Sequence, residues 1–225
     1  MNPRLVLFDL DGTLADTAAD ITRATNRVLA EVERPPLPLA TVRALVSKGA
    51  RAVLRAGFDV PPDPAALDAL AQRLFEVYCE APVVDTRPFP GLRGVIADLG
   101  EAGLMWGVVT NKPIRLADPI VAALALQPAP RLVIGGDSLA RRKPDPLPLL
   151  AACERAGVAI AESIYVGDAE IDVQTARAAG MPVVIAGFGY ALPHDANWDP
   201  APDFYARSVD ELASILLAPV SSTGS

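Results

Sequence analysis

The sequence predicts an α/β fold, a parallel sheet covered by helices on both faces, with an α-helical cap domain inserted after the first strand. Three observations predict it. Short apolar runs with β-branched character alternate with stretches of helical periodicity. The strand candidates are apolar along nearly their whole length, as strands buried on both faces are. One region, from Thr17 to about Pro82, carries only helical patterns and interrupts the alternation.

Taken in order, residues 4–8 (RLVLF) form the first strand, followed at once by DLDGT. Helical patterns then cover 18–32, 40–47, 50–57 and 65–80, with proline-rich connectors at 35–38 and 61–64. Four helices in succession exceed an ordinary crossover, so this block reads as a cap, begun after Ala15 and left near 88–91. The alternation resumes with helix 92–102, strand 106–110, helix 114–125, strand 131–135, helix 146–156, strand 163–167, helix 171–179 and strand 182–185. The expected organisation is a catalytic core of residues 1–15 and 88–218, a cap of residues 16–87, and a disordered tail of residues 219–225.

Composition narrows the chemistry. The 225 residues suffice for one domain, or a core with a small insertion, and 51% are apolar. No apolar run is long enough to span a bilayer. The opening MNPRLVLFDLDGT reads as a strand rather than a signal peptide, so a cytoplasmic location is the expectation. Cys79 and Cys153 lie far apart, which favours a reduced compartment over a zinc site or a disulfide framework. His194 is the lone histidine, so acid–base work falls to carboxylates or lysine. A net charge of −7 argues against nonspecific nucleic-acid binding, which needs a basic footprint, but leaves a small anionic substrate open.

Four motifs stand at the ends of strand candidates. Asp9 and Asp11 in DLDGT follow the first strand, where open parallel sheets bind ligands, and Gly12 permits a sharp turn. Two neighbouring carboxylates need a cation or a shared proton, and magnesium would serve; the plainer reading is a helix-capping loop. Thr110 and Asn111 in TNKP offer a hydroxyl and an amide, or cap the next helix. Lys143 in RKPDP could reach back towards the aspartates or stand in solvent. Asp168 and Asp172 in GDAEID form a second acidic pair, with capping the plainer account of Asp168.

With DLDGTLADT, TNKP, RKPDP and VGDAEIDVQTARAAG in this order, the chain resembles the haloacid dehalogenase superfamily in its phosphatase branch. The resemblance implies a Rossmann-like core with a helical cap and a phosphoric monoester hydrolase acting through an aspartyl-phosphate. It implies Asp9 as nucleophile, Asp11 as general acid and base, and Thr110 and Lys143 on the phosphate beside Asn111. It also implies magnesium held by Asp9, the Asp11 carbonyl and Asp168, with Asp172 positioning the metal or its waters. Asp11 disfavours a dehalogenase, while a phosphomutase or phosphotransferase would use the same residues. Several segments are similar to bacterial phosphoglycolate phosphatases, others to N-acetylmuramic acid 6-phosphate phosphatases. In the cap, Ser47, Lys48, Gly49 and Arg51 mark the expected specificity loop, with Lys48 or Arg51 pairing a substrate carboxylate. An ordinary interhelical turn is the alternative. Gly187, Phe188, Gly189, Tyr190, Asn197 and Trp198 could wall the pocket or belong to the core.

Overall fold

The structure, a computed structural model, describes residues 3–190 and 198–218. It opens with β1 (Leu5–Phe8), a fully buried strand. Alternate residues feed two cores: Leu5 and Leu7 join the apolar cluster on one face, Val6 and Phe8 the cluster on the other. This is the two-residue period of a strand covered on both sides.

The inserted block follows. β2 (Ala15–Asp16) leads into α1 (Ala18–Glu31), α2 (Leu39–Arg43), a 3₁₀ turn at Val46–Lys48, α3 (Ala50–Arg55) and α4 (Pro64–Glu80). β3 (Arg87–Pro88) then returns antiparallel to β2, with Ala15 opposite Pro88 and Asp16 opposite Arg87. α1 buries Ile21, Ala24, Thr25 and Val28, the stripe that a helical period produces. α4 begins where it does because the Asp63 carboxylate accepts the Ala65 and Ala66 N–H groups while Pro64 takes the first turn. The returning segment is fixed by Asp20 of α1, whose buried carboxylate accepts the N–H groups of Val84, Asp85 and Thr86 and the Thr86 hydroxyl.

The rest alternates: α5 (Leu92–Glu101), β4 (Met105–Val109), α6 (Ile114–Leu124), β5 (Val133–Ile134), α7 (Leu147–Ala156), β6 (Ser163–Gly167), α8 (Glu170–Ala179), β7 (Val183–Ala186), β8 (Phe204–Ala206) and α9 (Val209–Leu216). The six main strands are parallel in the order β5-β4-β1-β6-β7-β8. Apolar residues of α5, α6 and α9 cover one face, in a cluster shared with the inserted helices, and those of α7 and α8 cover the other.

The expected elements recur with small shifts, and 163–167 recurs residue for residue. The strand expected at 131–135 shortens to two residues, and the helix expected at 40–47 ends at Arg43. β8 and α9 were not anticipated. Asn197, His194 and the tail expected at 219–225 lie outside the described residues. No helix among the described residues is long and apolar enough to cross a membrane.

Candidate active site

β1 lies between β4 and β6, with Phe8 level with both Val108 and Val166. Their carboxyl ends therefore reach one edge of the sheet together, and Asp9, Thr110 and Asp168 follow there. The Asp9 N–H still donates to the Val166 carbonyl at 2.8 Å, so the residue leaves the sheet in register. Gly12 turns the chain with φ +80°; a Cβ there would lie 2.4 Å from Asp168 Oδ2 and 2.6 Å from the Tyr190 ring. Both the dihedral and the space demand glycine.

Lys143 is the hub of the first of two charge clusters. Its buried ammonium lies 2.9 Å from Asp9 Oδ2, 2.7 Å from Asp172 Oδ1 and 2.9 Å from the Tyr165 hydroxyl. Tyr165 in turn donates to the Val109 carbonyl at 2.8 Å. The other Asp172 oxygen accepts the N–H groups of Asp168 and Ala169 at 3.1 and 3.0 Å, which seats it at the start of α8. Burial pushes the Asp9 carboxyl from its usual 3.8 up to about 6, against the pull of Lys143. Burial, then Asp172 and Asp9, drive Asp168 well above the usual carboxylate range. Burial alone would lower Lys143, but Asp172 and Asp9 outweigh it and hold the ammonium above its ordinary value.

Asp9, Asp168 and Asp172 each offer an oxygen within 4.8 Å of the others, and all three are buried. Crowded buried carboxylates with one ammonium between them carry uncompensated negative charge. An all-oxygen donor set of this kind suits a hard divalent cation.

The second cluster holds Asp11 apart from the first. Asp11 Oδ1 accepts the Thr17 hydroxyl at 2.5 Å and pairs with the Lys112 ammonium at 2.8 Å. Lys112 also stands 4.6 Å from the centre of the Tyr78 ring, which α4 brings over from the inserted block. Sequence reasoning missed both residues. TNKP drew attention to its hydroxyl and amide, and Tyr78 falls on the apolar stripe of α4 with Leu74, so nothing in the pattern separates it from core.

The remaining expected residues divide. Thr110 lies buried at the sheet edge, its hydroxyl oxygen accepting the Lys112 N–H at 3.2 Å. Asn111 donates to the Lys143 carbonyl at 3.0 Å, fixing the loop that carries the lysine, and its own side-chain oxygen is buried without a partner among the described residues. Ser47 reaches the site, its hydroxyl donating to Asp168 Oδ2 at 3.0 Å. Lys48 is exposed beside it, and Gly49, at φ +86°, starts α3. Arg51 does not join them: its guanidinium pairs with Asp68 of α4, in a hollow lined also by Arg55 and Pro61. Tyr190 flanks the site, donating to Asp16 at 2.6 Å and accepting the Thr17 and Ala18 N–H groups, while Arg43 of α2 stacks on its ring and pairs with Asp16 at 2.7 Å. Phe188 packs edge-on against Phe89. Trp198 instead packs against the core cluster beneath α7 and α8.

Comparison with known proteins matches residues 6–186 to the haloacid dehalogenase-like hydrolase family. A phosphoglycolate phosphatase of Xanthomonas campestris pv. campestris (strain 8004) is 47% identical over 193 residues, covering 86% of this chain and 87% of the relative. An N-acetylmuramic acid 6-phosphate phosphatase of Pseudomonas aeruginosa is 39% identical over 200 residues, covering 88% of each chain. Among solved structures, a haloacid dehalogenase-like family hydrolase from Streptococcus pneumoniae superposes with a TM-score of 0.82 at 19% identity, covering 95% of this chain and 98% of that one, a likeness of fold.

Proposed function

The chain belongs to the haloacid dehalogenase-like hydrolase family and is a phosphatase of it, and from that premise we propose that it hydrolyses a small carboxylated phosphate monoester, phosphoglycolate foremost, with magnesium as cofactor. One observation carries the mechanism: the two aspartates of DLDGT face different surroundings. Asp9 sits with Lys143 near Asp168 and Asp172, whereas Asp11 sits with Thr17 and Lys112.

That separation suits a nucleophile and an acid. Even raised to about 6, Asp9 is mostly ionised at neutral pH. Its carboxylate attacks phosphorus in line and the ester bond breaks, leaving an aspartyl-phosphate. Asp11 gives the leaving oxygen a proton, then takes one from the water that attacks phosphorus and frees inorganic phosphate and Asp9. Lys143, Thr110 and the backbone amides near Gly12 meet the charge on the phosphoryl oxygens. Asp9, the Asp11 carbonyl and Asp168 would hold magnesium, with Asp172 positioning it. When bound, the ion neutralises charge on the transferring group.

Residues 16–87 serve as a cap over a core of 1–15 and 88–218, with Ser47 and Lys48 at the loop facing the site. Free Cys79 and Cys153 suit a reducing, intracellular setting. The relative that is 39% identical supports a second reading, N-acetylmuramic acid 6-phosphate. The deciding experiment measures kcat/KM for phosphoglycolate, N-acetylmuramic acid 6-phosphate and an aryl phosphate with magnesium. Highest efficiency on phosphoglycolate upholds the first reading, and highest efficiency on the amino-sugar phosphate replaces it. Transfer of the phosphoryl group to an added acceptor, with no free phosphate released in its absence, would make the chain a phosphotransferase.

A further inference from the structure

The reaction above leaves two groups beside Asp11 without a task. Lys112 comes from the loop after β4, on the sheet side, and Tyr78 from α4, on the cap side. A lysine ammonium has three donors. One goes to Asp11 Oδ1 at 2.8 Å, and the ammonium stands against the Tyr78 ring at 4.6 Å from its centre. Tyr78 is only 4% exposed, yet its hydroxyl has no partner in good hydrogen-bond geometry among the described residues, although the Lys112 ammonium beside it acts on it. Burying a hydroxyl unsatisfied is unfavourable, and such orphans in native structures ask for a missing partner. Burial also raises the Tyr78 hydroxyl above its usual value despite Lys112, so it is a proton donor at neutral pH.

Resting on the phosphatase reading just given, we infer that Lys112 and Tyr78 form the receptor for the substrate's carboxylate and select 2-phosphooxy acids, whose carboxylate is attached to the carbon that bears the phosphate ester. The leaving oxygen must meet Asp11. In a 2-phosphooxy acid a single carbon separates that oxygen from the carboxylate, so the carboxylate arrives beside Asp11, where Lys112 stands. A carboxylate is best held by a charged donor and a second donor at its other oxygen. Lys112 supplies the first and the Tyr78 hydroxyl the second. Lys112 also offsets the repulsion that Asp11 would exert on the incoming charge. A carboxylate borne on a lactyl ether across a sugar ring from the phosphate would lie outside this grip. Arg51, engaged by Asp68, is not available for the task.

The test compares phosphoglycolate with ethyl phosphate, which has the same chain length and no carboxylate. Phosphate release would be followed for the wild type, Lys112→Met, Lys112→Arg and Tyr78→Phe with magnesium present. Losing a charge-assisted contact should cut the phosphoglycolate-to-ethyl-phosphate ratio of kcat/KM by about ten- to a hundredfold in Lys112→Met. Tyr78→Phe, which removes a single oxygen and keeps the ring, should lower the ratio less and mainly through KM. Lys112→Arg should recover part of the preference. Equal losses on both substrates in Lys112→Met and Tyr78→Phe would overturn the receptor and leave these residues as supports for Asp11 and α4. Should Lys112→Met fail to fold, Tyr78→Phe decides alone. A wild type with no preference for phosphoglycolate would overturn the substrate reading itself. A wild-type preference that both variants retain would overturn only the receptor.

Discussion

The Lys143 ammonium stands 2.7 Å from Asp172 Oδ1, with both side chains sealed from solvent. Removing one partner of a buried pair typically costs about 3–5 kcal/mol, because the other charge is left uncompensated. Lys143→Met would strand Asp172 together with Asp9 and Asp168. The variant should unfold at markedly lower urea in chelator, and magnesium should narrow the deficit without restoring turnover. Wild-type stability in chelator would show that the pair is not holding the site together.

Asp9→Asn keeps the shape of the side chain and removes the proposed nucleophile. Turnover should fall on the order of a hundredfold or more while circular dichroism stays unchanged. Asp11→Asn should differ by substrate. An aryl phosphate leaves without much protonation, so a burst of phenol should precede a slow steady state, visible in stopped-flow. A burst-free, equal loss on aryl and alkyl esters would remove Asp11 from the acid role.

The metal-free protein should respond to pH in a defined direction. Asp9 rises from 3.8 to about 6 on folding, so the folded chain binds this proton more tightly than the unfolded one. Its contribution to stability is full below the unfolded value and is lost as pH climbs through about 6. Asp168, raised as well, acts with the same sign. Metal binding requires the ionised carboxylates, so magnesium should protect more at neutral pH than at about pH 5. Melting temperatures with chelator and with magnesium at the two pH values check this, and a gap that narrows towards neutrality contradicts it. Calcium should restore little activity, since its larger, looser coordination misplaces the nucleophile.

Asp20 bonds four donors of the returning segment, at distances of 2.7 to 3.1 Å. Asp20→Ala leaves the N–H and hydroxyl of Thr86 buried and unpaired, at a cost of roughly 3 kcal/mol, while the Val84 and Asp85 N–H groups can turn to water. The loss should appear in chemical denaturation, and KM should rise because the inserted helices are no longer held at one angle. Asp20→Asn, which keeps one acceptor oxygen, should fall between.

Much of this was legible because strong local patterns and strand-end motifs agree. The apolar runs of β1, β4 and β6 are too short and too β-branched to be helices, and the acidic and basic motifs follow them directly. What escaped was set by distant contacts or weak local signals. β8 is a three-residue strand whose pairing with β7 depends on tertiary context. α9 did carry a legible start, Ser208 capping the Glu211 N–H at 3.1 Å, in the S-x-x-E pattern. The position of Arg51 depends on Asp68, a partner on another helix that no local pattern names. Tyr78 and Lys112 meet only because α4 folds back over the sheet edge, so their pairing lay beyond any motif.

The two short strands through which the inserted helices depart and return lie side by side, Ala15 against Pro88. The chain thus closes a long excursion at a single narrow gate, and the order of the six-stranded sheet does not depend on what the excursion contains. Because loop closure grows only slowly in cost with length, an insert of different size could be spliced between these points at little closure cost, provided it covers the apolar cluster that the present helices share with the sheet. Over evolutionary time such a gate is a grafting point. On the reading proposed above, exchanging the cassette would replace Tyr78 and so alter substrate preference, while the groups at the sheet's edge, Lys112 among them, would stay in place.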